Sequence, residues 1–201
     1  MDIAKPPPLT KKRYWNKNLV LIILIIIGIS SIFALIPLII KGYVFQAYKI
    51  PSGAMEPTLL IGDHILVNKS YSSKNIKRGD IIVFIYPIDP RKDFVKRVIG
   101  LPGDKIELRD NKLFIDNDLV EEKYIFNPQK ASRNRHSNFG PVAVPFNSLF
   151  VLGDNRDNSY DSRFWGFVNI DKVKGKVTKI YWSWNSKNKH VRWQRIGNTV
   201  S

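Results

Sequence analysis

Ile50-Pro51-Ser52-Gly53-Ala54-Met55-Glu56-Pro57-Thr58-Leu59 follows the only long apolar segment of this 201-residue chain. Two prolines bracket a Ser-Gly pair, so the backbone is stiff at both ends and permissive in the middle. Such a stretch holds main-chain N–H groups and a hydroxyl in fixed positions beside a sheet.

Upstream of it, Leu19 to Ile40 is an uncharged run of 22 residues, LVLIILIIIGISSIFALIPLII. As a helix it reaches roughly 33 Å, enough for a hydrocarbon core of about 30 Å. It is longer than the h-region of a secretory signal, and it lacks the polar face of a soluble helix. The expectation is one transmembrane helix over residues 19–40, with Pro37 tolerated near its exit. Residues 1–18 form a basic tail with Lys5, Lys11, Lys12, Arg13 and Lys17 against Asp2, while Lys41 and Lys49 follow the span. That bias predicts a cytoplasmic N-terminus and an extracytoplasmic domain over residues 41–201.

Downstream the chain reads as β-structure. Gly62-Asp63 precedes HILVNK, Gly79-Asp80 precedes IIVFIY, Gly103-Asp104 precedes KIELRD, and Gly153-Asp154 follows LFVL. The Gly-Asp pairs supply turns and the apolar runs supply strands. Lys112–Val120 predicts a hairpin turning at Asp116-Asn117. Residues 127–148 show little periodicity and are expected to form a long loop. The fold class is mostly β, an antiparallel sheet domain behind one helix. Cysteine is absent, which excludes disulfides and thiol chemistry. The formal charge of +15 implies an anionic partner, nucleic acid or a lipid surface.

Two further stretches carry candidate chemistry. In Asp93-Phe94-Val95-Lys96-Arg97-Val98-Ile99-Gly100-Leu101-Pro102-Gly103-Asp104, a strand puts Phe94, Lys96 and Val98 on one face and Val95 and Arg97 on the other. A lysine desolvated among apolar neighbours becomes a general base near neutral pH. The plain alternative is that it snorkels or pairs with Asp93. The stretch Gly153-Asp154-Asn155-Arg156-Asp157-Asn158-Ser159-Tyr160-Asp161-Ser162-Arg163 is dense in short polar groups. It reads as a polar turn with an Asp/Arg ion pair. It lacks the spacing and terminal Glu of a calcium loop, so no metal is expected.

In this order behind an N-terminal anchor, IPSGAMEPTL, DFVKRVIGLPGD and GDNRDNSYDSRFWG resemble the successive boxes of bacterial type I signal peptidases. These are membrane-bound serine endopeptidases with a Ser/Lys dyad. GDHILVNK and RGDII add to the resemblance, which spans roughly residues 41–170. It implies that Lys96 is the general base and that the hydroxyl of Ser159 holds that lysine in place. Asp161 and Arg163 are the implied buttressing pair. Ser52 and the backbone N–H of residue 54 are the implied oxyanion hole. It places Asp93 and Val95 on a strand that pairs with extended substrate, and Ile50, Pro51 and Phe94 near its small-residue pockets. The implied substrates are secretory preproteins, cut after their signal peptides at the cytoplasmic (inner) membrane without a cofactor. The histidines His64, His136 and His190 are expected to be structural, because the lysine fills the base role.

One position departs from the pattern. The family's nucleophilic serine is replaced by Ala54, and a methyl group cannot attack a carbonyl. The backbone N–H of Ala54 still serves an oxyanion hole. Ser52 is a poor substitute, since residues i and i+2 of an extended chain lie roughly 6.6 Å apart. A substitution made to stop the reaction, a natural member without activity, and a member using another group all remain open. Beside the peptidase stand two other readings. One is a pseudoprotease that holds signal peptides uncut. The other is a membrane-tethered nucleic-acid binder, suggested by the basic, Trp-containing residues 172–195. No RNP, KH or helix-turn-helix pattern accompanies that segment, and a basic aromatic stretch docks more simply on anionic lipid.

Overall fold

The structure, a computed structural model, describes residues 17–71, 75–125 and 138–200, and within the first helix it leaves out the side chains of residues 33–43. The chain divides into two units, Met1–Gly42 and Tyr43–Ser201. Helix α1 runs from Lys17 to Val44. Its Leu19, Leu21, Ile22 and Ile25 are exposed, and Ser31 satisfies its hydroxyl on the carbonyl of Ile27 at 2.8 Å. Among the described residues no helix is long and apolar enough to cross a membrane. The expected span of residues 19–40 continues into positions whose side chains lie outside that description.

The second unit is β-structure. Its strands are β1 (Phe45–Lys49), β2 (Asp63–Asn68), β3 (Ile81–Ile85), β4 (Asp93–Gly100), β5 (Lys105–Arg109), β6 (Lys112–Ile115), β7 (Asp118–Val120), β8 (Phe139–Ala143), β9 (Ser148–Leu152), β10 (Val168–Asn169), β11 (Val173–Asn185) and β12 (His190–Val191). They form one large antiparallel sheet in the order β1-β2-β11-β3-β4-β9-β10, with β12 on β11, and a smaller one in the order β7-β6-β5-β8. A short helix, α2 (Ser162–Trp165), follows β9.

Alternation builds the core. Strand β3 reads as uninterrupted apolar sequence because both its faces are covered. Ile81 and Val83 join Ile65, Val67, Val177 and Leu59 on one side. Ile82 and Phe84 join Val98, Leu149 and Val151 on the other. Strand β9 divides likewise: Phe150 and Leu152 pack with Ile106, Leu108, Leu113 and Ile115 of the small sheet.

Three of the four Gly-Asp pairs make one device. Gly62, Gly79 and Gly103 have φ near +90°. The N–H of each following Asp bonds the carbonyl of Leu60, Lys77 or Leu101, three residues back. This is a type II turn, whose third position wants glycine. Each Asp carboxylate also accepts from the N–H of that same residue. Gly153-Asp154 is a correction to that reading. Gly153 has no positive φ, and its aspartate is drawn to Arg97 instead. The hairpin at Asp116-Asn117 is present between β6 and β7, with φ of 53° and 75° at its two turn residues. The long loop expected over residues 127–148 is corrected at Phe139–Ala143, which pairs with β5 as β8. Residues 126–137 lie outside the described part.

Candidate active site

A cleft of about 320 Å³ opens in the second unit, where Ser52, Ala54 and Met55 meet Phe94, Val95 and Lys96. Ile50, Pro51 and Asp93 also line it, as do Tyr48, Asn158 and Tyr160. The substrate-facing residues expected from sequence, the expected base and residue 54 are therefore brought to one cavity. Ser159, Asp161 and Arg163 lie behind it in the segment that follows β9.

Lys96 is 5% exposed. The alternative partner suggested by sequence is taken: Asp93 holds the ammonium of Lys174 at 2.7 Å. Among the described residues Lys96 has no ion pair, and its Nζ lies 5.4 Å from the centre of the Phe94 ring. Burial drives its pKa down from 10.5 to about 8. The charges of Asp161 and Asp154 oppose that shift, and Arg163 reinforces it. An amine of this kind is neutral in a large fraction of molecules at mildly alkaline pH, the state a base requires.

The loop bearing Ala54 is clamped from the segment after β9. The N–H of Asn155 donates to the carbonyl of Ala54 at 3.2 Å, and Asn155 Nδ2 donates to the carbonyl of Gly53 at 3.0 Å. A Cβ on Gly153 would collide with that same Ala54 carbonyl and with Ser159 Oγ, so closeness rather than turn geometry requires glycine here. The N–H of Gly153 donates to Asp161 Oδ2 at 3.1 Å. Asp161, fully buried, receives both Nε and Nη2 of Arg163 at 2.8 and 2.9 Å. Arg163 then reaches the carbonyl of Arg156 at 2.7 Å. This bidentate pair braces the turn on which Ser159 is carried. The hydroxyl of Ser159 is buried and has no hydrogen-bond partner among the described residues, so the expected bond to Lys96 is not formed here. Ser52 is exposed on the cleft wall.

A family model described as "Signal peptidase, peptidase S26" matches residues 16–182. The chain belongs to the signal peptidase family. It is 40% identical over 150 residues to the probable signal peptidase I-2 of Synechocystis sp., covering 71% of this chain and 66% of that protein. It is 40% identical over 168 residues to the signal peptidase I of Leptolyngbya laminosa, covering 79% and 78%. A solved structure of a signal peptidase I from Enterococcus faecalis V583 is similar at 35% identity with a TM-score of 0.46, covering 53% of this chain and 100% of that one.

As a signal peptidase family member the chain carries supports that the sequence reading passed over. Arg97, beside Lys96 but facing the other way, binds Asp154 through Nε and Nη2, both at 2.8 Å. Its guanidinium lies 4.0 Å over the ring of Tyr124, and Thr58 Oγ1 donates to the same aspartate at 2.5 Å. At the other end of the loop, Asp63 accepts from Ser183 Oγ at 2.6 Å and Arg195 Nη2 at 2.7 Å. Arg195 also reaches the carbonyl of Thr58 at 2.8 Å. A basic residue one place from a buried lysine was the available signal for Arg97. Nothing local pointed to Arg195, which is 137 residues from Thr58.

Proposed function

We propose that this chain carries the signal-peptide-cleaving machinery of a signal peptidase I, with the nucleophile missing at position 54. The observation that carries this is a buried lysine without an ion pair among the described residues, lining one cleft with the clamped backbone of Ala54. With a serine at 54, neutral Lys96 takes the hydroxyl proton as the oxygen attacks the carbonyl carbon of the scissile bond. Ser52 and the N–H of residue 54 receive the oxyanion. Lys96 returns its proton to the leaving amine, and then activates the water that hydrolyses the acyl-enzyme. With Ala54 the first bond cannot form, so the chain as written binds signal peptides and leaves them intact.

The edge available to an extended substrate supports this reading. Residues 93–97 of β4 pair with β3, but β9 joins the other side only from Arg97 onward. Among the described residues, positions 93–96 thus have one unpaired edge facing the cleft, suited to β-augmentation. The apolar run of residues 19–40 anchors the chain in the cytoplasmic membrane with its N-terminus inside. Trp182, Trp184 and Trp193, all exposed among lysines and arginines, rest on the lipid surface.

The test is a cleavage assay on a secretory preprotein with three chains: this one, Ala54→Ser, and Ala54→Ser/Lys96→Ala. The expected result is no product, then product, then none. Turnover by the unmodified chain at the Ala54→Ser rate would remove Lys96 and position 54 from these roles.

A further inference from the structure

Glu122 and Tyr124 follow β7, on the segment by which the chain leaves that strand of the small sheet. Of the two acids there, Glu121 is exposed. The Glu122 side chain is 3% exposed, and that of its ion-pair partner Arg156 is 9% exposed. Its carboxylate accepts from Arg156 Nη2 and from the Tyr124 hydroxyl at 2.7 Å. Burial, and after it the Glu122 carboxylate, push that phenol well above its usual range, so Tyr124 stays a donor. A buried ion pair is weak evidence for stability, since apolar residues of the same volume often serve as well. Its partners therefore matter more than its energy.

Arg156 opens the single 3-10 turn Arg156–Asn158 that leads into Ser159, and its Nε donates to the carbonyl of Gly153 at 3.1 Å. Tyr124 holds its ring against the guanidinium of Arg97, the residue after Lys96. One short segment thus grips both arms of the site, strand β4 at Arg97 and the Ser159 turn at Arg156. Tyr124 is itself seated on the core of Ile106, Leu113 and Phe150, which gives the grip a packed base. Neither Glu122 nor Tyr124 lines the cleft.

We propose that Glu122 and Tyr124 are positioning residues, a strap from the small sheet that sets the Ser159 turn against the strand of Lys96. This role rests on the signal-peptidase reading. Arg97 with Asp154 fixes the start of the turn and Arg163 with Asp161 fixes its end, whereas the strap fixes its middle. With the strap cut, the turn drifts from β4 and water enters beside Lys96. The base then loses its alignment and its desolvation together. A misplacement of about 1 Å costs about a hundredfold in rate.

The test uses the full chain carrying Ala54→Ser, in detergent micelles, with Glu122→Gln, Tyr124→Phe, both or neither, cleaving a secretory preprotein. Glu122→Gln keeps the shape and removes the charge that Arg156 pairs with. Tyr124→Phe is milder, since it keeps the ring at Arg97 and removes only the hydroxyl. The expected fall in kcat is more than tenfold for Glu122→Gln and about fivefold for Tyr124→Phe, with KM within about twofold. The double variant falls no further than Glu122→Gln, because both changes cut one link. The inflection of the pH–rate profile moves up from about 8 toward 10.5. The charges that act on Lys96 are those of Asp161, Arg163 and Asp154, so loss of the Glu122 charge shifts the inflection only if the turn moves. A brace serving stability alone would lower the melting temperature and leave kcat of the folded protein and the inflection in place. That result overturns the strap, as does a rise in KM at constant kcat. An Ala54→Ser chain that cuts nothing overturns the signal-peptidase reading, and the strap with it.

Discussion

Lys96 is held in a state that costs the fold something. Between pH 8 and 10.5 the unfolded chain binds a proton at this position that the folded chain does not, so stability rises with pH across that window. Below about 8 both states are protonated and the full penalty of a buried ammonium is present. Lys96→Met should therefore stabilise the chain by about 1–3 kcal/mol at pH 7, and the gain should vanish as pH approaches 10.5. Urea melts at the two pH values check this. In the Ala54→Ser form the same group sets the rate, which should climb about tenfold per pH unit below pH 8 and level off above it. A pH profile that is flat from 6 to 9 would take the base role away from Lys96. This lysine was legible in the sequence because period two alone put it on a face with Phe94 and Val98. Asp161 and Arg163 were legible only through the family pattern. Asn155 was not legible at all. Its partners are carbonyls about a hundred residues away, and a carbonyl looks the same in every residue.

Strands β4 and β9 and the turn after β9 place these groups, so their joints should be more sensitive than their faces. Gly153→Ala forces a Cβ against the carbonyl of Ala54 and the Ser159 hydroxyl. It should lower turnover of the Ala54→Ser form more than tenfold while destabilising the fold by about 1–3 kcal/mol. Arg97→Met leaves Asp154 buried without its counter-ion, and a loss of about 3–5 kcal/mol in a denaturant melt is expected. The strands that announced themselves were those with clean alternation or covered faces, such as β2, β3 and β5. Strand β8 (FGPVA) contains glycine and proline, which argue against a strand, and it is tolerated there beside β5 alone. Strand β11 read as a basic tail for another reason. Its register slips between Val177 and Lys179 and again between Ile180 and Trp182, and each slip breaks the count of two by which a strand is recognised. From Val177 on, its buried residues Val177, Ile180 and Ser183 are consequently spaced by threes.

The molecule as a whole joins a strongly basic surface to an apolar N-terminal segment, and the two should separate in a flotation assay. The full chain is expected to float with neutral vesicles even in salt. The unit from residue 43 onward should float only with anionic vesicles, and about 0.5 M salt should release it as screening shortens the reach of its lysines. Release of the full chain from neutral vesicles would remove the anchor. The contact of Arg195 with Asp63 and with the carbonyl of Thr58 has a bearing on how the protein is made. The loop that presents position 54 is translated first, and the guanidinium that ties down its far end follows 137 residues later. Until Arg195 is added, the loop lacks that tie at its far end. A copy with serine at 54 would therefore gain full competence only after Arg195 has been made and has reached Asp63 and Thr58.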